Sequence, residues 1–132
     1  MLDKSLACRA ADVIRERGWM QGSLTVCAAS DEDKYVKYGP VCLVGALYVA
    51  AGIDLSLIDE SGLDDDSDVQ NSLLAVRDEV ATPLASFMKN TGLLEGQGSG
   101  PRPFLSDVTT WNDRPERTEK DVIAVLEAFC LS

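Results

Sequence analysis

The stretch Trp111-Asn112-Asp113-Arg114-Pro115-Glu116-Arg117-Thr118 concentrates the polar chemistry of this chain. It places an aromatic face, an amide, a carboxylate and two guanidiniums at the start of a helix. Such a set stacks on and hydrogen-bonds a base or ribose, or seats a phosphate on the helix N-terminus. The competing reading is a self-contained turn, with Trp111 buried and Asp113 bonded to Arg117 or to the first amides of the last helix. Asn and Asp side chains commonly bond nearby backbone, so the turn carries more weight. A second polar cluster, Gly18-Trp19-Met20-Gln21-Gly22, adds an indole and an amide. The ligand-binding candidates are therefore Trp19, Gln21, Trp111, Asn112, Asp113 and Arg117.

Catalysis needs a nucleophile, a base or a metal within reach of one another. There is no histidine in the chain, so Cys-His and Ser-His pairs are absent. Cys42 is the best nucleophile candidate, because it lies near a helix N-terminus, where the dipole lowers a thiol pKa. It also lies in the most apolar stretch, where burial raises that pKa, and a core role outweighs a nucleophilic one. The sequence has no phosphate-cradling G-x-x-x-x-G-K-[ST], no G-x-G-x-x-G and no G-x-S-x-G. Cys8, Cys27, Cys42 and Cys130 show no C-x-x-C spacing, so neither a metal site nor a cofactor is expected. Three of the four sit among apolar neighbours, as buried free thiols do.

Twelve basic residues stand against 22 acidic ones, a net charge of −10. That excludes a phosphate backbone or an anionic membrane as partner, for want of a basic patch. It suits solubility or a basic protein surface. The N-terminus is already amphipathic and carries Asp3 and Lys4, which does not fit a signal peptide. The expected location is a reducing cytoplasm.

Positioning these groups falls to a helical frame. Leu2, Leu6, Ala10, Val13 and Ile14 predict a helix over 3–17, ending at Gly18 in a Schellman motif with Trp19 packed back on Ile14. Residues 23–38 alternate around the polar break Asp31–Lys34 and predict a small β-hairpin. Pro40 to Ala51 holds no charged residue. It predicts a central helix buried on every side, with Pro40 first and Gly52 in the left-handed position after it. Residues 54–68 form an acidic loop lacking the EF-hand glycine and glutamate. Val69, Leu73, Val76 and Val80 predict a helix over 68–81, interrupted at Thr82-Pro83 and followed by a kinked extension or a new helix capped by Thr82. Residues 92–103 form a flexible Gly/Pro-rich loop. Val108 and Thr109 suggest a short extended segment, and Thr118 to Asp121 a capping box opening the last helix, 119–130.

The motifs Gly18-Trp19-x-Gln21-Gly22, Cys42-Leu43-x-Gly45-Ala46-Leu47 and Trp111-Asn112-Asp113-x-Pro115-x-Arg117-Thr118, in this order, resemble a family of small domains of unknown function from actinobacteria, other bacteria and their phages. The resemblance leaves out 28–37 and 55–104. It implies no established activity, and a phage setting implies a counter-defence or host-modulating role.

The expected fold is one helix-dominated α+β domain over 1–132, with about four main helices around the helix at 40–51. The expected function is non-enzymatic binding, as a phage or mobile-element accessory factor that sequesters a nucleotide-like small molecule or blocks a host protein with a basic surface. The alternatives are a hydrolase or transferase using Cys42 and a structural or assembly protein, with homo-oligomerisation open.

Overall fold

The computed structural model of the chain describes residues 3–21, 27–28, 31–35, 39–55, 67–92 and 105–132. Six α-helices dominate them: α1 (Ser5–Arg17), α2 (Leu43–Ala50), α3 (Ser67–Val76), α4 (Thr82–Asn90), α5 (Leu105–Asn112) and α6 (Glu119–Leu131). Within the expected hairpin only β1 (Cys27–Ala28) and β2 (Asp31–Tyr35) are described, paired antiparallel with an irregular register. The rest of that hairpin, most of the acidic loop and nearly all of the Gly/Pro-rich loop lie outside the described residues.

The most apolar stretch does what its composition demands. Leu43 to Tyr48 are buried, and α2 packs on α1, α3 and α5. Its boundaries differ from the expectation of 40–51. Pro40 is not the first helical residue, because Val41 is tied to the end of α1 in a short parallel bridge with Trp19. The Val41 amide donates to Gly18 O and the Met20 amide to Val41 O, each at 3.0 Å. That bridge keeps the backbone extended through Cys42, so helical turns begin only at Leu43. The C-terminus is a complete Schellman motif: Gly52 has φ +89°, its amide donates to Val49 O, and the Ile53 amide donates to Tyr48 O.

The end of α1 lacks the expected Schellman motif. Gly18 has φ +92° and ψ 167°, away from the left-handed helical well. Its amide closes a last turn on Ile14 O, and the chain then leaves extended to meet Val41. Only glycine turns there at no steric cost.

The Thr82-Pro83 break is a wide π turn, Arg77–Ala81, joining α3 to α4 without interruption. Proline has no amide proton, and its ring crowds the carbonyl four residues back. The wide turn absorbs both effects. The Thr82 amide donates to Arg77 O, five residues back, and Thr82 Oγ1 donates to the same carbonyl at 2.9 Å. Thr82 is therefore not an N-cap, and α4 is a continuation of α3 through the wide turn rather than a new helix.

The expected extended segment at Val108-Thr109 is instead part of α5. Val108 and Trp111, three apart, are both buried, so the spacing is helical despite the β-branched run. The last helix forms as read, with both bonds of its capping box. The Asp121 amide donates to Thr118 Oγ1 at 3.3 Å, and the Thr118 amide donates to Asp121 Oδ2 at 3.0 Å.

Helices α1 and α6 pack on each other, and both contribute buried residues to the core, Ala7, Ala10 and Ile14 from one and Val122, Leu126 and Phe129 from the other. Cys8 and Cys130 form a disulfide between them, with a Cα separation of 5.6 Å. This corrects the free-thiol expectation for those two residues; Cys42 is free and buried. The cytoplasmic expectation rested partly on free thiols and loses that support. Among the described residues, no helix is long and apolar enough to cross a membrane.

The disulfide closes a loop across a sequence separation of 122 residues, worth about 5 kcal/mol at most by chain entropy. Urea unfolding with and without reductant, repeated on Cys8→Ser, measures it. Reduction and substitution are each expected to lower the unfolding free energy by about 2–5 kcal/mol.

Candidate functional site

The two polar clusters converge beside the N-terminus of α2, and Asn112 is their hub. It is the last residue of α5 and is only 1% exposed. Its Oδ1 accepts from Trp19 Nε1 at 2.8 Å and from the Leu43 amide at 3.1 Å. Its Nδ2 donates to Met20 O at 3.3 Å and to Asp113 Oδ1 at 3.0 Å. Two donors face the oxygen and two acceptors face the nitrogen, so the partners fix the orientation of the amide. A primary amide has four such valences, and all four are used. Gln21 reinforces the junction, with Nε2 donating to Asn112 O at 2.9 Å and Arg114 O at 2.7 Å.

Leu43 is the first residue of α2, and its amide is one of the orphan donors of a helix start. Asn112 thus caps α2 from a distant part of the chain. Cys42 supplies the local cap, its Sγ accepting from the Gly45 amide at 3.3 Å. Burial pushes the Cys42 thiol up to about 11 from its ordinary 9.0, against the pull of the Gly45 and Val44 amides; the Asp113 carboxylate raises it further. A thiol held protonated, buried and used as a cap is poorly placed to attack a substrate.

Trp111 and Arg117 form the outer side of the junction. Trp111 is 2% exposed. The Arg117 guanidinium stacks on its indole with Cζ 3.9 Å from the ring centroid. Arg117 Nε also donates to Trp111 O at 3.0 Å. Beyond them lies an open groove of about 340 Å³, bounded by Phe87 of α4, by Thr91 just past its end, and by Asp121, Ala124, Val125 and Ala128 of α6.

All six candidate residues therefore lie in one connected region, with different duties. Trp19, Gln21 and Asn112 are committed to the junction, and Asp113 accepts from it. Trp111 and Arg117 belong both to the junction and to the groove. Trp19 packs against the core cluster that contains Ile14, and is also held by its bridge with Val41 and its bond to Asn112. Sequence reasoning missed the α4 and α6 lining of the groove. The available signal was Ala124 and Ala128, four apart and exposed on a helix whose other apolar residues are mostly covered. Among the described residues, no acidic or cysteine cluster could hold a metal ion.

The chain belongs to the family of unknown function DUF6197, whose sequence profile matches residues 4–129. No curated protein and no solved structure matches it.

Asn112→Ala strands the buried Leu43 amide together with the half-buried Trp19 indole N–H and Met20 carbonyl. It is expected to cost about 3–5 kcal/mol in urea unfolding. A second outcome concerns pH. The folded Cys42 pKa is raised, so its contribution is full below about 9 and is lost as pH climbs toward about 11. Tyr48, also raised by burial, adds to the same alkaline loss. The pH dependence of unfolding should flatten in Cys42→Ala, and native protein should resist iodoacetamide at Cys42 at neutral pH.

Proposed function

We propose that this member of the family is a non-enzymatic binding protein, and that its ligand occupies the groove between α4 and α6. One observation carries the reading: Trp111 and Arg117 are fixed by the junction and also line a concave surface of about 340 Å³. Small-molecule sites are typically concave, mostly apolar and equipped with a few rigidly held polar groups, with volumes of about 300–1,000 Å³. The groove has that make-up. Asn112, by contrast, has no valence left for a ligand, so the junction serves as the support behind the site.

A thiol enzyme built on Cys42 is the weaker reading, given the burial and raised pKa of that thiol and the lack of any histidine base. Blocking a basic host protein, in a phage or mobile-element setting, rests on the net charge of −10.

Thermal shift against nucleotides, cyclic dinucleotides and small aromatic acids tests the proposal. A ligand at about 100 times its Kd stabilises by about 2.7 kcal/mol, and the melting temperature should rise by roughly 5–10 °C. Ala128→Trp, at an exposed position, should fill the groove and cancel that rise while leaving the unliganded melting temperature within about 2 °C. Absence of a shift with every compound, together with capture of a basic protein partner, would favour the blocking role instead.

A further inference from the structure

We infer that the groove takes an apolar monoanion, a small carboxylic acid whose carboxylate is held by Arg117; this rests on the groove being the binding site. Arg117 brings a guanidinium cation to the groove. Its side chain is only 16% exposed. It is held from two sides, by the bond from Nε to Trp111 O at 3.0 Å and by the stack on the Trp111 ring at 3.9 Å. Its terminal Nη1 and Nη2 make no hydrogen bond among the described residues. Asp121 Oδ2 forms a loose ion pair with Nη1 at 4.0 Å, too long for a hydrogen bond. That same oxygen already accepts from the Thr118 amide. The result is a pre-oriented planar fork with donors to spare at the rim of an apolar groove. A carboxylate matches that fork with two parallel hydrogen bonds, and the apolar surroundings strengthen them.

The rest of the lining defines the other end of the ligand. Phe87, Ala124, Val125 and Ala128 offer carbon surface. The Thr91 hydroxyl shares its one proton between the Phe87 and Met88 carbonyls at the end of α4. Among the described residues, Arg117 is the one basic residue lining the groove, and Asp121 lines it too. A nucleotide polyphosphate would bring two or more negative charges to a single cation beside a carboxylate, on a chain of net charge −10. One negative charge on an apolar body avoids that repulsion. Aromatic and short-chain aliphatic acids share this chemistry.

Calorimetric titration of the full chain with 1-naphthoate, octanoate, 1-naphthamide and AMP tests the inference. At least one acid should bind, with 1-naphthoate about 10- to 100-fold tighter than its neutral amide, as expected for a charge-assisted pair. The stronger of the two acids identifies the body the groove prefers. Arg117→Gln should erase the acid–amide difference. If circular dichroism shows that variant unfolded, Arg117→Lys replaces it and should weaken the acids several-fold, because a point charge lacks the fork. Ala128→Trp should abolish binding of acid and amide alike. Equal affinity for amide and acid, or tighter binding of AMP, overturns the monoanion while leaving a binding groove. No binding by any probe, or binding that survives Ala128→Trp, overturns the groove itself.

Discussion

The side-chain amide of Asn112 occupies the meeting point of three segments far apart in sequence, and its four hydrogen bonds leave it no freedom. One bond completes the start of α2, one holds the indole of Trp19, one takes the Met20 carbonyl, and one fixes the adjacent Asp113. Water cannot substitute easily at a residue so fully buried. A buried polar network of this kind stabilises when every member is satisfied and destabilises when one is lost. The helix it caps is the most apolar in the chain, and hydrophobic burial alone would not set its register against α1 and α5. The amide does, because hydrogen bonds are directional where burial is not.

Much of the frame was legible because its signals are local. The capping box at Thr118 and Asp121 needs only residues three apart, and the left-handed Gly52 needs only the helix before it. The apolar face of α6 repeats at a single period. What escaped depends on partners distant in sequence. Pro40 looked like a helix start, but Val41 is committed to Trp19 and keeps the chain extended. The short helix α5 was hidden by its β-branched residues, which tertiary packing overrides through Val108 and Trp111. The pairing of Cys8 with Cys130 requires knowing that the first and last helices are neighbours.

The candidate residues were also partly legible. Their types pointed to a polar cluster worth examining, and the chain does bring them together. Residue type could not apportion the labour among them, since an amide that caps a helix and an amide that holds a ligand look alike in sequence. The distinction comes from counting valences: Asn112 has none left, whereas Arg117 keeps two terminal nitrogens. The groove escaped because alanines carry no chemistry. Their contribution is the space left above them.

The wide turn at Arg77–Ala81 has a consequence for how chain length is inherited in this fold. From Val76 through Val80 and Leu84 to Met88, one row of buried positions steps by four. An ideal helix completes a turn in 3.6 residues, so such a row drifts steadily around the cylinder. A turn wound with one residue more winds the row back toward the core. The irregularity is therefore recorded in the spacing of the side chains as well as in Pro83. Exchanging the proline would restore an amide proton but leave that spacing untouched. Deleting one residue from the turn would let it close as an ordinary α turn, and the residues after it, Phe87 among them, would keep nearly the same facing, because the wide turn already takes up the extra residue. In descent, this turn is a place where the helix can gain or lose one residue and keep its buried face.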